Sequence, residues 1–285
     1  MGAADTERDR REAGNGDGMA RAELTNTRSP RVKAAKRLAK RAFRERDRIF
    51  LAEGPQAVRE ALKVPGATVE LYATAEAENR HPDIAAAASE QGVPIHLTSG
   101  EVMAELAQTV TPQGLLAVCR LVHVPLAEAV PAGSRLVALL AHVRDPGNAG
   151  TVLRTADAAG ADAVVFTDAS VDPYNGKCVR ASAGSLFHLP VVTGVRVAQA
   201  VAHVREAGMR VLAADGAGRV TLDEADLSGP TAWIFGNEAW GLPEEVLALA
   251  DEVVRVPIYG KAESLNLATA AGVCLYASAR VQREK

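Results

Sequence analysis

The sequence has few cysteines and no long apolar run, and each shortage excludes a class of protein. Only three of its 285 residues are cysteine (Cys119, Cys178 and Cys274), and their spacing fits neither a disulfide framework nor a zinc site. We therefore expect reduced core thiols in a cytoplasmic protein with no bound metal. No apolar run approaches the ~20 residues of a membrane-spanning helix. The polar N-terminus lacks the apolar core of a secretory signal, so no membrane association is expected.

Several common catalytic motifs are also missing. No G-x-G-x-x-G turn follows a strand and opens a helix, which disfavours a nicotinamide or flavin enzyme. A Walker loop, a G-x-S-x-G elbow and an H-E-x-x-H pair are absent, and the six histidines are scattered. The chemistry must therefore come from other polar residues.

Charge is unevenly distributed, although the formal net charge is only −3. Residues 28–48 contain ten Lys or Arg residues and two acidic residues. Such a basic segment is expected to meet a polyanion, while a solvated helix face is the alternative. The candidate contacts are Arg28, Arg31, Lys33, Lys36, Arg37, Lys40, Arg41 and Arg44.

The order of predicted elements indicates two α/β domains, as the length also suggests. Residues 1–28 have few large apolar residues and are predicted to be a disordered tail. Residues 29–123 begin with a basic helix and continue with alternating strands and helices. Residues 124–134 contain two prolines and a glycine and are predicted to be a linker. Residues 135–285 repeat the alternation, starting with an apolar strand at 136–143 that is typical of a buried parallel sheet.

Three runs place polar residues directly after the carboxyl end of a predicted strand. The first is a predicted loop at 144–150, which holds Asn148 and leads into a predicted helix at 151–159 with Arg154. The second is Gly236-Asn237-Glu238, and the third enters a helix at Ser264-Leu265-Asn266. Open α/β sheets bind ligands at that edge, so the three runs together favour a site.

Each run also has a simpler interpretation. Asn-Glu and Ser-x-Asn are common in ordinary turns and helix caps. Arg154 could instead form an ion pair with Asp157, which lies three residues later on the same helix.

Together the three runs resemble the three motifs of the SpoU/TrmH family. These are S-adenosylmethionine-dependent RNA ribose 2′-O-methyltransferases of the SPOUT class. Segments 180–190 and 48–55 also resemble parts of that family, so the resemblance covers residues 29–283. Ala239-Trp240 stands where glycine is frequent and Ile258 where methionine is frequent. The first departure could alter the flexibility of its loop.

The resemblance implies a fold, a cofactor and a set of site residues. The expected fold is a small N-terminal α/β RNA-binding domain, followed by an α/β SPOUT catalytic domain with a C-terminal trefoil knot. A homodimer through the catalytic domains is also implied. The implied cofactor-binding residues are Leu212, Ala213, Ala214, Gly236, Asn237, Val256, Ile258, Leu265 and Leu267. The implied catalytic residues are Asn148, Arg154, Glu238, Ser264 and Asn266.

The role of Arg154 follows from its chemistry. A guanidinium group stays protonated in proteins and is therefore a poor general base. We expect Arg154 to grip a phosphate of the RNA and to stabilise the developing alkoxide. Glu238 is the alternative proton acceptor, or the residue that orients Arg154.

Large-subunit (23S) ribosomal RNA is the expected substrate, with transfer RNA second. A catalytically silent RNA-binding protein is the competing function.

Overall fold

The structure, a computed structural model, describes residues 22–237 and 240–283, which form two separate sheets and the helices around them. Its α-helices are α1 (Pro30–Lys36), α2 (Arg41–Asp47), α3 (Pro55–Lys63), α4 (Ala75–Arg80), α5 (Pro82–Glu90), α6 (Gly100–Leu106), α7 (Leu126–Ala129), α8 (Pro146–Ala159), α9 (Gly176–Ala181), α10 (Val197–Glu206), α11 (Glu244–Leu247) and α12 (Leu267–Arg283). Its strands are β1 (Ile49–Glu53), β2 (Thr68–Ala73), β3 (Ile95–Leu97), β4 (Leu115–Arg120), β5 (Leu136–Leu140), β6 (Ala163–Thr167), β7 (Val191–Val195), β8 (Arg210–Ala214), β9 (Val220–Thr221), β10 (Thr231–Phe235) and β11 (Glu252–Arg255).

The first sheet is small and mixed, with strand order β1-β4-β2-β3. Strand β4 pairs antiparallel with β1 and with β2, and β2 pairs parallel with β3. Val32 of α1 and Leu38 of the 3₁₀ turn that follows it are buried, and they pack with α6 against one face of this sheet. The predicted small α/β unit is therefore confirmed, and the basic segment forms part of its core.

The second sheet has seven strands in the order β7-β6-β5-β10-β8-β11-β9, and every neighbouring pair is parallel. Alternate residues of β5 belong to two different cores. Leu136 and Leu140 pack into the core that holds α8 and α12, whereas Val137 and Leu139 pack into the core that holds α10. This burial on both faces explains the unbroken apolar run in the sequence. The expected α/β class is confirmed.

The start of the chain departs from prediction in two places. Leu24 pairs with Thr98 beside β3, so the predicted disordered tail is wrong for this part, whereas residues 1–21 lie outside the described residues. The basic helix is interrupted, because Lys40 is extended between a 3₁₀ turn (Arg37–Ala39) and α2. The Arg44 guanidinium donates to the carbonyl oxygens of Leu38 and Ala39, both at 2.8 Å, and so caps the end of that turn.

Two element predictions in the second half are also wrong. The predicted loop at 144–150 is mostly helix, because α8 begins at Pro146, where proline's missing N–H costs nothing. The run at residues 187–192 also predicts a short strand, but β7 begins only at Val191, because Pro190 cannot donate to the ladder. The segment predicted as a linker, 124–134, contains the short helix α7, and its Val130 is fully buried.

The two sheets are joined by a mixed apolar and ionic contact. Phe50 of β1 lies 4.7 Å from the ring centroid of Tyr174 and 6.0 Å from that of Phe187. Around these rings, Arg44 donates to Asp172 at 2.5 Å and Arg180 donates to Glu53 at 3.0 Å. These contacts hold the first unit against the second.

Candidate active site

A cavity of about 550 Å³ lies at the carboxyl edge of the seven-stranded sheet. Its walls come from the segments that follow β8, β10 and β11, together with the start of α12. These strands are neighbours in the sheet, so their carboxyl ends meet at one place although they are far apart in the sequence. The cavity size falls in the range of ~300–1,000 Å³ that is typical of small-molecule and cofactor sites.

Most of the predicted cofactor-binding residues line this cavity. The lining includes Ala214, Gly236, Asn237, Val256, Ile258, Leu265 and Leu267. Leu212 and Ala213 are not among the lining residues, and the cofactor contact predicted for their backbone stays a prediction. Both are fully buried inside the sheet, where they pair with β10 and β11, so they lie behind the cavity wall.

Gly236 is required by the packing of its own loop. A Cβ atom at this position would lie 2.6 Å from Cγ of Leu242 and 2.9 Å from the backbone carbon of Gly241. No side chain fits there without moving the loop that follows β10. The absence of a side chain therefore keeps this wall of the cavity close to the end of the strand.

The first and third sequence runs meet through two asparagines. Nδ2 of Asn266 donates to Oδ1 of Asn148 at 3.1 Å, across 118 residues of sequence. Oδ1 of Asn266 also accepts from the backbone N–H of Ala268 at 2.9 Å. Asn266 is thus both an N-terminal cap of α12 and a link to α8, which unites the two interpretations of this run. Ser264 lines the cavity beside it and is exposed.

Asp145 fixes the start of the helix that carries Asn148. Its carboxylate accepts from Lys177 Nζ at 2.6 Å and from the backbone N–H of Asn148 at 2.8 Å. The hydrogen bond from Lys177, followed by that from Asn148, holds the pKa of Asp145 below its usual range. The ionised carboxylate therefore complements the positive end of α8.

Arg154 lies outside the wall of the cavity, on the exposed face of α8. Among residues 22–237 and 240–283, no hydrogen bond or ion pair engages its guanidinium. Asp157, the alternative partner, instead contacts Nδ1 of His188 at 2.7 Å. The proposed i,i+3 ion pair does not form, so no side chain in the described part of the chain competes with a ligand for the donors of Arg154.

The second run contacts the segment that directly precedes the first run. Asn237 is almost fully buried, and its Nδ2 donates to the carbonyl oxygen of His142 at 3.1 Å. His142 follows β5 with a left-handed backbone, φ +60°, which is uncommon for a residue with a side chain. Glu238, the candidate proton acceptor, lies outside the described residues.

Four polar or aromatic residues of the cavity were not among the predicted site residues. Asp215, Arg255, Glu263 and Trp240 all line it. Asp215 directly follows β8, so it carried the same sequence signal as the other runs, a polar residue after a strand. Trp240 had been noted only as a departure from the family pattern.

The basic candidates near the N-terminus divide into three groups. Arg44 was predicted to contact RNA, but this is wrong, because its buried side chain is paired with Asp172. Four exposed cations pair with nearby carboxylates; these are Arg31, Lys36, Arg37 and Arg41. Arg28, Lys33 and Lys40 are exposed, and no ion pair engages them within the part of the chain that the structure describes.

Two kinds of feature are absent from the described ranges, 22–237 and 240–283. They contain no group of three or more His, Cys, Asp or Glu side chains that could hold a metal ion. They also contain no helix that is both long and apolar enough to cross a membrane.

Two family models match the chain. Residues 135–276 match the SpoU rRNA Methylase family, and residues 29–117 match the MRM3-like substrate binding domain. The 23S rRNA (guanosine(2553)-2′-O)-methyltransferase RlmP of Bacillus subtilis is 37% identical, over 89% of this chain and 98% of its own length. The 23S rRNA (guanosine-2′-O-)-methyltransferase RlmB of Bordetella pertussis is 31% identical, over 68% of this chain and 80% of its own length.

Solved structures resemble the chain over nearly its whole length. An AdoMet-bound rRNA methyltransferase from Sinorhizobium meliloti superposes with a TM-score of 0.80 at 32% identity, covering 91% of this chain and 97% of that one. The SpoU methyltransferase AviRb of Streptomyces viridochromogenes, in complex with AdoMet, gives a TM-score of 0.80 at 27% identity, covering 90% and 100%.

Proposed function

The chain belongs to the SpoU rRNA Methylase family, and from this premise we propose that it methylates a ribose 2′-hydroxyl in structured RNA. The methyl donor is S-adenosylmethionine. The proposed substrate is 23S ribosomal RNA, which the names of the Bacillus and Bordetella relatives both give. The observation that carries the proposal is the hydrogen bond between Asn148 and Asn266 beside the cavity, because it joins two family motifs at one site.

The cavity suits S-adenosylmethionine in size and in chemistry. The apolar side chains of Leu265, Leu267 and Ile258 offer a surface for an adenine ring. The carboxylates of Asp215 and Glu263 offer acceptors for hydroxyl groups and counter-charge for a cation. When bound, the cofactor supplies a methyl group on a positively charged sulfur.

Arg154 and the two asparagines act on the RNA side of the reaction. The free guanidinium of Arg154 binds a phosphate of the target and stabilises negative charge that develops on the 2′-oxygen. Asn148 and Asn266 fix α8 against the start of α12, which keeps Arg154 in position relative to the cavity. The hydroxyl group of Ser264 forms a hydrogen bond with the ribose. Glu238 is proposed as the proton acceptor, or as the group that orients Arg154.

The first unit and the basic segment select and hold the RNA. The match to a substrate binding domain over residues 29–117 supports this role. Exposed Arg28, Lys33 and Lys40 provide phosphate contacts, which add affinity and position but little sequence information. Folded RNA is recognised mainly through its shape and its unpaired bases, which fits a unit held rigidly beside the cavity.

We also propose a homodimer formed by the catalytic units. Five of the seven large apolar side chains that are exposed in the described residues lie between Ile258 and Tyr276. A groove lined by Val273 and Tyr276 of α12 also includes Ala158 of α8, one turn after Arg154. A second copy on this surface would cover the apolar residues and lie close to Arg154. Light scattering should give twice the chain mass, and Tyr276→Glu should shift it towards one chain mass.

We also propose a cytoplasmic location and a C-terminal trefoil knot. Cytoplasmic location is supported by three free, buried cysteines, which suit a reducing compartment. The C-terminal trefoil knot follows from the family resemblance, and general topology rules would not lead one to expect it.

Mapping of 2′-O-methylated positions in total RNA tests the function directly. Deletion of the gene should remove a methylated position from 23S rRNA. The wild-type gene should restore it, whereas the Arg154→Ala gene should not. If the deletion instead removes a methylated position from transfer RNA, transfer RNA is the substrate. An unchanged map, together with no S-adenosylmethionine binding by calorimetry, would indicate a catalytically silent RNA-binding protein.

A further inference from the structure

Trp240 is displayed on the surface at the mouth of the cavity. Its side chain is 63% exposed and lines the same cavity as Asn237, Ser264 and Leu265. The other tryptophan of the chain, Trp233, is fully buried, and its Nε1 donates to Oγ of Ser278 at 2.8 Å. An exposed indole at a ligand cavity is unusual, because aromatic side chains normally bury most of their large apolar area.

The backbone around Trp240 is held in place on both sides. Asn237 and Gly241 exchange two backbone hydrogen bonds, of 3.1 Å and 3.0 Å. Gly241 has φ +68°, and a Cβ atom there would lie 2.7 Å from Oδ2 of Asp215, so only glycine is readily accommodated. Leu242 is buried, and its N–H donates to the same carboxylate. Trp240 thus projects from an anchored position.

Arg144 lies beside the indole ring, with its guanidinium carbon 6.0 Å from the ring centroid. The hydrogen bond from Asn237 to the carbonyl of His142 brings the end of β5, and with it Arg144, against this loop. Arg144 is exposed, and within residues 22–237 and 240–283 no carboxylate pairs with it. The planar cation and the indole therefore form one exposed surface, the Trp240–Arg144 platform.

The platform lies between the two parts of the proposed active site. Trp240 belongs to the cavity wall, whereas Arg144 adjoins Asp145, which caps the helix of Asn148 and Arg154. A group resting on the platform would be next to any ribose that reaches the cavity. Aromatic rings and guanidinium planes are the groups on which proteins stack unpaired RNA bases.

We propose that the Trp240–Arg144 platform stacks an unpaired nucleobase of the substrate RNA, at or next to the nucleotide whose ribose is methylated. This inference rests on the proposed function and names the part of the RNA that the site holds. Stacking tolerates any base, so the platform contributes affinity and position, while the identity of the base is read elsewhere. Arg144 adds charge that a purely apolar patch would lack, which favours RNA over an uncharged partner.

The fluorescence of the two tryptophans allows a direct test. The probes are an RNA hairpin with an unpaired loop, a fully paired RNA duplex, and S-adenosylmethionine alone. We expect the hairpin to quench the exposed Trp240, whereas the duplex and the cofactor leave the emission nearly unchanged. Trp240→Phe should remove the quenching and keep hairpin affinity within a few-fold, because the phenyl ring still stacks.

Trp240→Ala should weaken hairpin binding by roughly 5- to 100-fold, and any loss of cofactor affinity measured by calorimetry should be much smaller than this. Quenching by S-adenosylmethionine, with loss of cofactor affinity in Trp240→Ala, would assign the ring to the cofactor and overturn the proposal. If Trp240→Ala lowers the mass in light scattering from two chains to one, the ring belongs to an interface between copies and the proposal is wrong. Unchanged hairpin affinity in Trp240→Ala would also refute the proposal. If the wild-type chain stacks the hairpin but methylates no RNA, the proposed function fails while the platform stands.

Discussion

At the scale of single residues, Arg154 combines exposure with a guanidinium that has no partner among the described residues. We predict that Arg154→Ala lowers methyl transfer by roughly 100-fold or more while cofactor affinity stays nearly unchanged. The reason is that Arg154 lies outside the cavity wall and acts on the RNA in the transition state. Single-turnover transfer of labelled methyl, with calorimetry of the cofactor, measures both quantities. A comparable loss of cofactor binding would contradict this assignment.

Gly150 gives a second prediction, which concerns the packing of α8. A Cβ atom at Gly150 would lie 2.3 Å from the carbonyl oxygen of Cys178 in α9. Gly150→Ala must therefore push the two helices apart, at a cost of about 1–3 kcal/mol or more in the free energy of unfolding. Gly100→Ala is the matched control, because Gly100 is also helical and its Cβ would meet nothing within 4 Å. Equal stabilities of the two variants in urea would refute the close contact.

At the scale of elements, the segment of α1 and α2 is anchored by an arginine that the sequence presents as one more basic residue. Arg44 is buried and donates to Asp172 and to two carbonyl oxygens. We predict that Arg44→Ala lowers the free energy of unfolding by about 3–5 kcal/mol, because it leaves Asp172 without its buried partner. Arg41→Ala, which breaks only an exposed pair with Glu45, should cost about 0.5 kcal/mol or less. Similar losses in the two variants would argue against the anchor.

The same segment should carry part of the salt dependence of RNA binding. Lys33 and Lys40 are exposed and outside the described ion pairs. The double variant Lys33→Gln/Lys40→Gln should flatten the log–log slope of RNA affinity against salt by about 1.4, or roughly 0.7 for each lost phosphate contact. Arg135→Gln, next to the amino end of β5 and so at the opposite edge of the sheet, serves as the control. An unchanged slope in the double variant would show that these two lysines face solvent and do not contact RNA phosphates.

Local patterns predicted most elements, and the misses involve distant partners. For example, the run between Gly208 and Asp215 predicts a strand at residues 210–214, and β8 has these limits. The break at Lys40 could not be predicted, since Arg44 is fixed by Asp172, which lies 128 residues away. Several residues that line the cavity could be proposed from the sequence, because polar residues after strand ends carry a local signal and the three runs resemble family motifs. The exposure of Trp240 has no such signal, since it depends on how two loops meet.

At the scale of the whole molecule, His188 joins the two units beside α8. Its Nε2 lies 3.0 Å from Oε2 of Glu60 in α3, and its Nδ1 lies 2.7 Å from Oδ2 of Asp157 in α8. A neutral imidazole can donate from only one nitrogen, so both contacts become hydrogen bonds only when the ring is protonated. Asp157 follows Arg154 by three residues. The protonation of His188 is therefore coupled to the contact between the first unit and α8.

The pKa values of His188 and Glu60 determine how the stability of the fold changes with pH. Partial burial lowers the pKa of His188, but hydrogen bonds to Asp157 and Glu60 raise it more, so it lies above the usual histidine value. Burial raises the pKa of Glu60, but hydrogen bonds from Lys63 and His188 outweigh it, and the carboxyl stays ionised to lower pH than usual. A histidine with a raised folded pKa stabilises the fold fully below its unfolded value of about 6.5. That stabilisation is lost as the pH rises through the folded pKa.

We therefore predict that His188→Gln lowers the melting temperature most at acidic pH, and that the difference from wild type shrinks as the pH rises. Thermal unfolding measured between about pH 5.5 and about pH 8.5 covers the window in which a raised histidine pKa must fall. His203→Gln is the matched control, because His203 contacts the carbonyl oxygen of Val130 rather than a carboxylate. Asp157→Asn should remove much of the pH dependence while it keeps the shape of the side chain. A difference between His188→Gln and wild type that is constant with pH would show that the ring only packs, and that the contact between the two units does not depend on its proton.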